Sequence, residues 1–154
     1  MFIEAHENIA KMLERKHSRF KVSTPMKVLL VEDSILIRNM LIEILNHASD
    51  LIVNGIATTQ NSAISLLDEQ QFDMLLVDIE LAEGNGFEVV RHTLKENYSF
   101  KPPLFVMLTN HTNPQYRRIA KELGVHYFFD KSMDFDLAIE TIELEAGKFA
   151  NNMH

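Results

Sequence analysis

Five short apolar runs, separated by stretches with helical periodicity, limit what this chain can fold into more than any other feature. They are "KVLLV" at 27–31, "LIVNGIATT" at 51–59, "FDMLLVDI" at 72–79, "PLFVMLTN" at 103–110 and "VHYFFD" at 125–130. Each reads as a strand with apolar side chains on both sides. Ile37, Met40, Leu41, Ile44 and Leu45 share one face of the first intervening helix. Ala63, Leu66 and Leu67 do so on the second, and Phe135, Ala138, Ile139 and Ile142 on the last, in "FDLAIETIELEAG" at 135–147. "GFEVVRHTLKENY" at 86–98 and "PQYRRIAKELG" at 114–124 read as the third and fourth helices. The fourth has Asn113 as N-cap, Pro114 at its first position and Gly124 just past its end, the usual asymmetry of start and stop signals.

Strands apolar on both sides that alternate with one-faced helices require a parallel sheet covered on both faces. The expected fold is an open, doubly wound α/β domain with five parallel strands. Right-handed crossovers place the carboxyl ends of all strands along one edge, so residues that end different strands converge there. Those residues are Glu32 and Asp33, Asp78, Thr109 and Lys131.

The bounds on function come from composition. The chain has 154 residues and 46% hydrophobic content, enough for one globular domain. Its 22 acidic and 15 basic residues give a net charge of −7, which argues against nucleic acid as a partner. With no cysteine, disulfides and thiolate metal sites are excluded. No apolar run approaches the roughly 20 residues of a membrane span. Glu4, His6 and Glu7 stand where a signal peptide would be apolar, so a cytoplasmic location is expected.

Three carboxylates in one crevice repel, and each resists ionising unless a cation is near. Oxygen-only ligands without cysteine point to Mg²⁺ rather than zinc. With the metal bound, one carboxylate can stay anionic and attack phosphorus, while Lys131 and Thr109 neutralise and hydrogen-bond the oxygens of an arriving phosphoryl group.

"VEDS" after the first strand, "DIELAEGNG" after the third, "LTN" after the fourth and "FFDKS" after the fifth together resemble the receiver domain of two-component response regulators. The resemblance covers about residues 26–147. It implies a flavodoxin-like fold in which Asp78 takes a phosphoryl group from a histidine kinase or a histidine phosphotransfer protein. It also implies that Glu32, Asp33, Asp78 and the backbone carbonyl of Glu80 bind Mg²⁺. Thr109 and Lys131 would contact the phosphoryl group, and Phe128 would swing inward as Thr109 moves, remodelling a face that meets a downstream target. Departures from the family pattern are Ser132 where a proline usually follows the lysine, Ala82 where a proline is common, Asn110 where a small residue is usual, and Phe128 where some members have tyrosine. Glu80 and His111, two residues beyond Asp78 and Thr109, are expected to tune the lifetime of the phosphorylated state.

Only "KFANNMH" follows residue 147, so the reading is a stand-alone receiver, not an enzyme, that signals through protein contact or onward phosphotransfer. The rival readings are a receiver-like binding module that works without phosphorylation, and a haloacid-dehalogenase-like phosphatase. The phosphatase expects its nucleophile on the first strand rather than the third. A flavodoxin-like cofactor carrier fits poorly, since "EDSILI" after the first strand would repel a phosphate. The expected organisation is an extension at 1–25, a receiver domain at 26–148 and a tail at 149–154. In the extension Phe2, Ala5, Ile9, Met12 and Leu13 fall at helical spacing, followed by the basic linker "ERKHSRFK". A short amphipathic helix is the reading of that segment, either packed on its own domain or frayed in solution, with a homodimer contact through it as the sharper alternative.

Overall fold

The structure is a computed structural model and describes residues 24–152. The expected N-terminal helix lies outside the described residues. The elements are β1 (Met26–Val31), α1 (Ile35–Leu45), β2 (Leu51–Ala57), α2 (Gln60–Glu69), β3 (Met74–Val77), α3 (Gly86–Thr93), β4 (Leu104–Thr109), α4 (Pro114–Glu122), β5 (Tyr127–Asp130) and α5 (Phe135–Asn152). The five strands form one parallel sheet in the order β2-β1-β3-β4-β5.

Alternation along the central strands sorts their side chains into two cores. Leu29, Val31, Leu75, Val77, Phe105 and Met107 face a layer built from α2, α3 and α4. Val28, Leu30, Met74, Leu76, Val106 and Leu108 face the layer of α1 and α5. Each central strand is therefore buried on both faces, which is why it is apolar throughout.

The outer strand β2 departs from that expectation. Among the described residues it is the edge of the sheet, with no strand beyond it, and Ile52 and Ile56 are 42% and 44% exposed. A register shift between Val28 and Leu29 places Val53 and Gly55 against consecutive β1 residues and leaves Asn54 as the extra residue of a bulge. Gly55 is seated there under the Phe72 ring, where a Cβ would come within 2.9 Å of the ring.

The helices differ from their sequence patterns at particular points. On α1 Leu41 and Leu45 are buried and Ile37 and Ile42 pack partly buried beside them, whereas Met40 turns outward at 37% exposure. Helix α3 stops at Thr93 rather than running to Tyr98. The Leu94 N–H bonds to the Arg91 carbonyl and the Thr93 hydroxyl donates to the Val90 carbonyl, both closing the last turn. Helix α5 continues through Gly147 to Asn152, with Ala146 buried. Helix α4 follows its signals: Asn113 Oδ1 accepts from the Tyr116 N–H, Pro114 stands at the first turn, and Gly124 adopts φ +80° past the end. Among the described residues no helix is long and apolar enough to cross a membrane.

Candidate functional site

Register builds the site. Val31 and Val77 are paired across β1 and β3, so the residues that follow them, Glu32 and Asp78, leave the sheet side by side. The Asp78 N–H donates to the Val31 carbonyl at 3.1 Å, which holds that juxtaposition one residue past the strands. On the adjoining strands β4 and β5, Thr109 is paired with Asp130, and the Lys131 N–H donates to the Thr109 carbonyl at 2.9 Å. All four strand ends thus meet at one edge.

The side chains close the arrangement. Lys131 Nζ lies 2.6 Å from Asp78 Oδ2 and 2.7 Å from Glu32 Oε1. Glu32 is only 2% exposed and Asp78 6%. The other oxygens are also bonded: Asp78 Oδ1 accepts from the Ile79 N–H at 2.7 Å, and Glu32 Oε2 from the Ser34 N–H at 3.0 Å. Burial pulls the Lys131 ammonium down, but its hydrogen bonds to Asp78 and Glu32 outweigh this and raise its pKa above the ordinary lysine value. Burial pushes the Glu32 carboxyl up, against the opposing pull of Lys131 and the Ser34 N–H. The cation that three carboxylates require is thus supplied for two of them by the chain's own lysine.

Asp33 is the third and stands apart. Its side chain is exposed, and the helix it precedes is capped by Ser34, whose Oγ accepts from the Ile37 N–H at 3.4 Å. Capping, the ordinary use of an aspartate before a helix, is therefore performed by its neighbour. Glu32, Asp33 and Asp78 each offer an oxygen within 4.8 Å of the others. Three carboxylates against one ammonium leave an excess of negative charge on hard oxygen ligands, and that donor set fits a divalent cation such as Mg²⁺.

The loop after β3 owes its shape to contacts the sequence did not announce. Gly84 adopts φ +78°, and the Gly86 N–H donates to the Ile79 carbonyl at 2.7 Å. A Cβ on Gly86 would lie 2.1 Å from the Asp78 carbonyl oxygen, so only glycine allows the helix to start this close to the site. The loop is tied to the start of α2 by Gln60, whose N–H donates to the Glu83 carbonyl and whose Oε1 accepts from the Asn85 N–H. The "GNG" spelling was the available signal. The Gln60 tether had none.

Two further contacts cross the mouth of the site. His111 Nε2 lies 2.5 Å from Glu80 Oε2, joining the loops after β4 and β3. Ser132 Oγ lies 3.2 Å from Asn110 Oδ1, joining the loops after β5 and β4. Two of the four departures from the family pattern, Ser132 and Asn110, therefore bond to each other. The Lys131–Ser132 peptide is trans, and the turn is secured by Asp130 Oδ1, which accepts from the Ser132 and Met133 N–H groups. Thr109 is fully buried, and its Oγ1 accepts from the His111 N–H at 3.1 Å. Phe128 points to the α4 side of the sheet, half-buried, with the Arg117 guanidinium 4.8 Å from its ring centre. Its neighbours Tyr127 and Phe129 face the other layer and stack at 6.0 Å.

The chain is similar to known proteins over most of its length. Residues 28–143 match the response regulator receiver domain family. The chain is 31% identical over 108 residues to a protein-glutamate methylesterase/protein-glutamine glutaminase of Methylobacillus flagellatus, covering 69% of this chain and 29% of that protein. It is 28% identical over 118 residues to the sensory transduction protein LytT of Bacillus cereus, covering 77% of this chain and 46% of LytT. It spans less than half the length of either. Among solved structures, the Vibrio cholerae chemotaxis protein CheY4 superposes with a TM-score of 0.64 at 27% identity, covering 78% of this chain and 98% of that one. A match over this span, with an acidic cluster at the sheet edge, identifies the chain as a member of the response regulator receiver domain family of two-component signalling.

Proposed function

We propose that Asp78 accepts a phosphoryl group from the phosphohistidine of a histidine kinase or a histidine phosphotransfer protein, and that the protein then signals in the cytoplasm through a target protein or by passing the group on. The observation that carries this reading is the Lys131 ammonium held between Asp78 and Glu32. One Asp78 oxygen attacks phosphorus, the P–N bond of the donor breaks, and the imidazole leaves as its nitrogen takes a proton from solvent. Lys131 is placed to follow the charge as it moves from the carboxylate to the phosphoryl oxygens. The Thr109 hydroxyl accepts from His111 and so keeps its own proton to donate to a phosphoryl oxygen. Glu32, Asp33, Asp78 and the Glu80 carbonyl would hold Mg²⁺, which supplies charge neutralisation when bound.

Phe128 and Thr109 are the proposed switch. Movement of the Phe128 ring towards Thr109 would release Arg117 from its face and alter the surface of α4, β5 and α5 offered to a target. The Glu80–His111 contact spans the mouth of the site, and we assign it a role in setting how long the acyl phosphate survives water. Measuring dephosphorylation of Glu80→Ala and His111→Ala against the parent checks that role, and unchanged decay removes it.

The test of the whole reading is intact-protein mass spectrometry after incubation with acetyl phosphate, with and without Mg²⁺. One Mg²⁺-dependent phosphoryl adduct, lost in Asp78→Asn, is the expected result. If neither acetyl phosphate nor a phosphohistidine donor labels the protein, the site belongs to a binding module that works without phosphorylation.

A further inference from the structure

The edge of the sheet opposite Asp78 holds a cleft of about 600 Å³. Its walls include Phe72, Leu94, Pro103, Leu123 and Phe149, with Asp73, Lys101 and His126 around them. Leu94 is 45% exposed there. A concavity of this size, walled largely by apolar side chains with polar groups around them, can take up one apolar face of a helix.

The chain itself enters the fold at the rim of that cleft. The Lys27 N–H donates to Asp73 Oδ2 at 2.8 Å and the Lys27 carbonyl accepts from the Asp73 N–H at 2.8 Å, and Asp73 is one of the lining residues. On the other side, the Met26 N–H donates to the Asp50 carbonyl. Asp50 also neighbours Gly147 of α5, two residues before Phe149 in the cleft wall. Whatever precedes Met26 therefore leaves the domain beside the cleft.

What precedes it carries a matching apolar pattern: Phe2, Ala5, Ile9, Met12 and Leu13 at helical spacing, then a polar connector. The cleft lies beneath β3 to β5, no more than three interstrand steps from β1, or about 14 Å. The connector at 14–25 can reach about 40 Å when extended, and a helix over 2–13 is about 18 Å long. Reach and dimensions both agree.

We propose that residues 2–13 of this chain occupy the cleft in the same molecule, with Ile9, Met12 and Leu13 against Leu94, Leu123 and Phe149, lining side chains that are not fully buried. The extension then covers the edge of the sheet remote from Asp78 and leaves the phosphoryl edge open to a partner. This inference does not depend on the phosphotransfer reading.

The absence of cysteine allows one to be introduced as a unique label site. A nitroxide on Lys11→Cys in the full chain should broaden the amide NMR signals of Asp73, Lys101, Leu123 and His126 several-fold, and leave Ile35 and Leu36 beside the site unaffected. Adding Ile9→Asp and Leu13→Asp should restore those signals, while signals from the sheet report that the domain stays folded. No broadening at the cleft, broadening at Ile35 and Leu36 instead, or broadening that survives the aspartates would each overturn the proposal. Broadening seen only when nitroxide-bearing chains are mixed with separately isotope-labelled chains would overturn it in favour of a second copy as occupant.

Discussion

The two ends of the sheet are made from the same strands, yet they carry opposite chemistry. At the carboxyl edge, Glu32, Asp78, Thr109 and Lys131 are buried or nearly so and bonded to one another or to backbone N–H groups. At the amino edge stand Phe72, Pro103 and Leu104, around an open cleft. In a parallel sheet the carboxyl edge is where the strands feed the loops that lead into each following helix, so backbone N–H groups gather there to hold anions. The amino edge receives helix C-termini and offers carbonyls instead, which do not favour buried carboxylates. Polarity of the chain direction, more than composition, gathers the buried carboxylates at one end, while Asp73, Lys101 and His126 at the other stay at least partly exposed.

The largest test of that contrast is Lys131→Met. It leaves Glu32 and Asp78 buried side by side with no cation, and stability at neutral pH should fall by about 3 kcal/mol. Urea denaturation measures the loss, and Glu32→Gln in the same chain should recover part of it. Acetyl phosphate labelling should also be lost.

The same contrast can be sharpened with two glycines. Gly86→Ala at the carboxyl edge drives a Cβ into the Asp78 carbonyl and should cost about 2 to 3 kcal/mol while slowing phosphorylation. Gly124→Ala at the amino edge meets no atom within 4 Å, and its cost is that of an alanine held at φ +80°, about 1 kcal/mol, with labelling unchanged. Equal effects from the two substitutions would remove the distinction between the edges.

The smallest effect lies away from both ends, where the Tyr127 hydroxyl donates to Glu145 Oε1 at 2.6 Å and joins β5 to α5. That bond lowers the Glu145 pKa below the usual carboxylate value of 4.5 and raises Tyr127 above 10.0. A lowered carboxyl stabilises the fold above pH 4.5 and loses that contribution as pH falls through its folded value. A raised phenol stabilises it below pH 10.0 and loses that contribution as pH climbs through its folded value. The difference between the parent and Tyr127→Phe should be about 1 kcal/mol near neutrality and shrink towards both extremes, as thermal melts across pH would register.

Much of the molecule is legible without coordinates. The alternation of apolar runs and one-faced helices determined an α/β sheet, because only strands buried on both faces need be apolar throughout. The order of residues ending the strands determined which groups could meet, because chain direction and crossover hand leave one edge for them. What the tertiary structure alone decided depends on partners distant in sequence. Register between β1 and β3 put Glu32 beside Asp78, and Lys131, 53 positions from Asp78, was drawn between them. Ser34 rather than Asp33 caps α1, which leaves the Asp33 carboxylate facing outward at the site. Edge position exposed Ile52 and Ile56, which look identical in sequence to core residues of a central strand. Local pattern reports what a residue prefers to bury, but only packing sets what is on the other side of it.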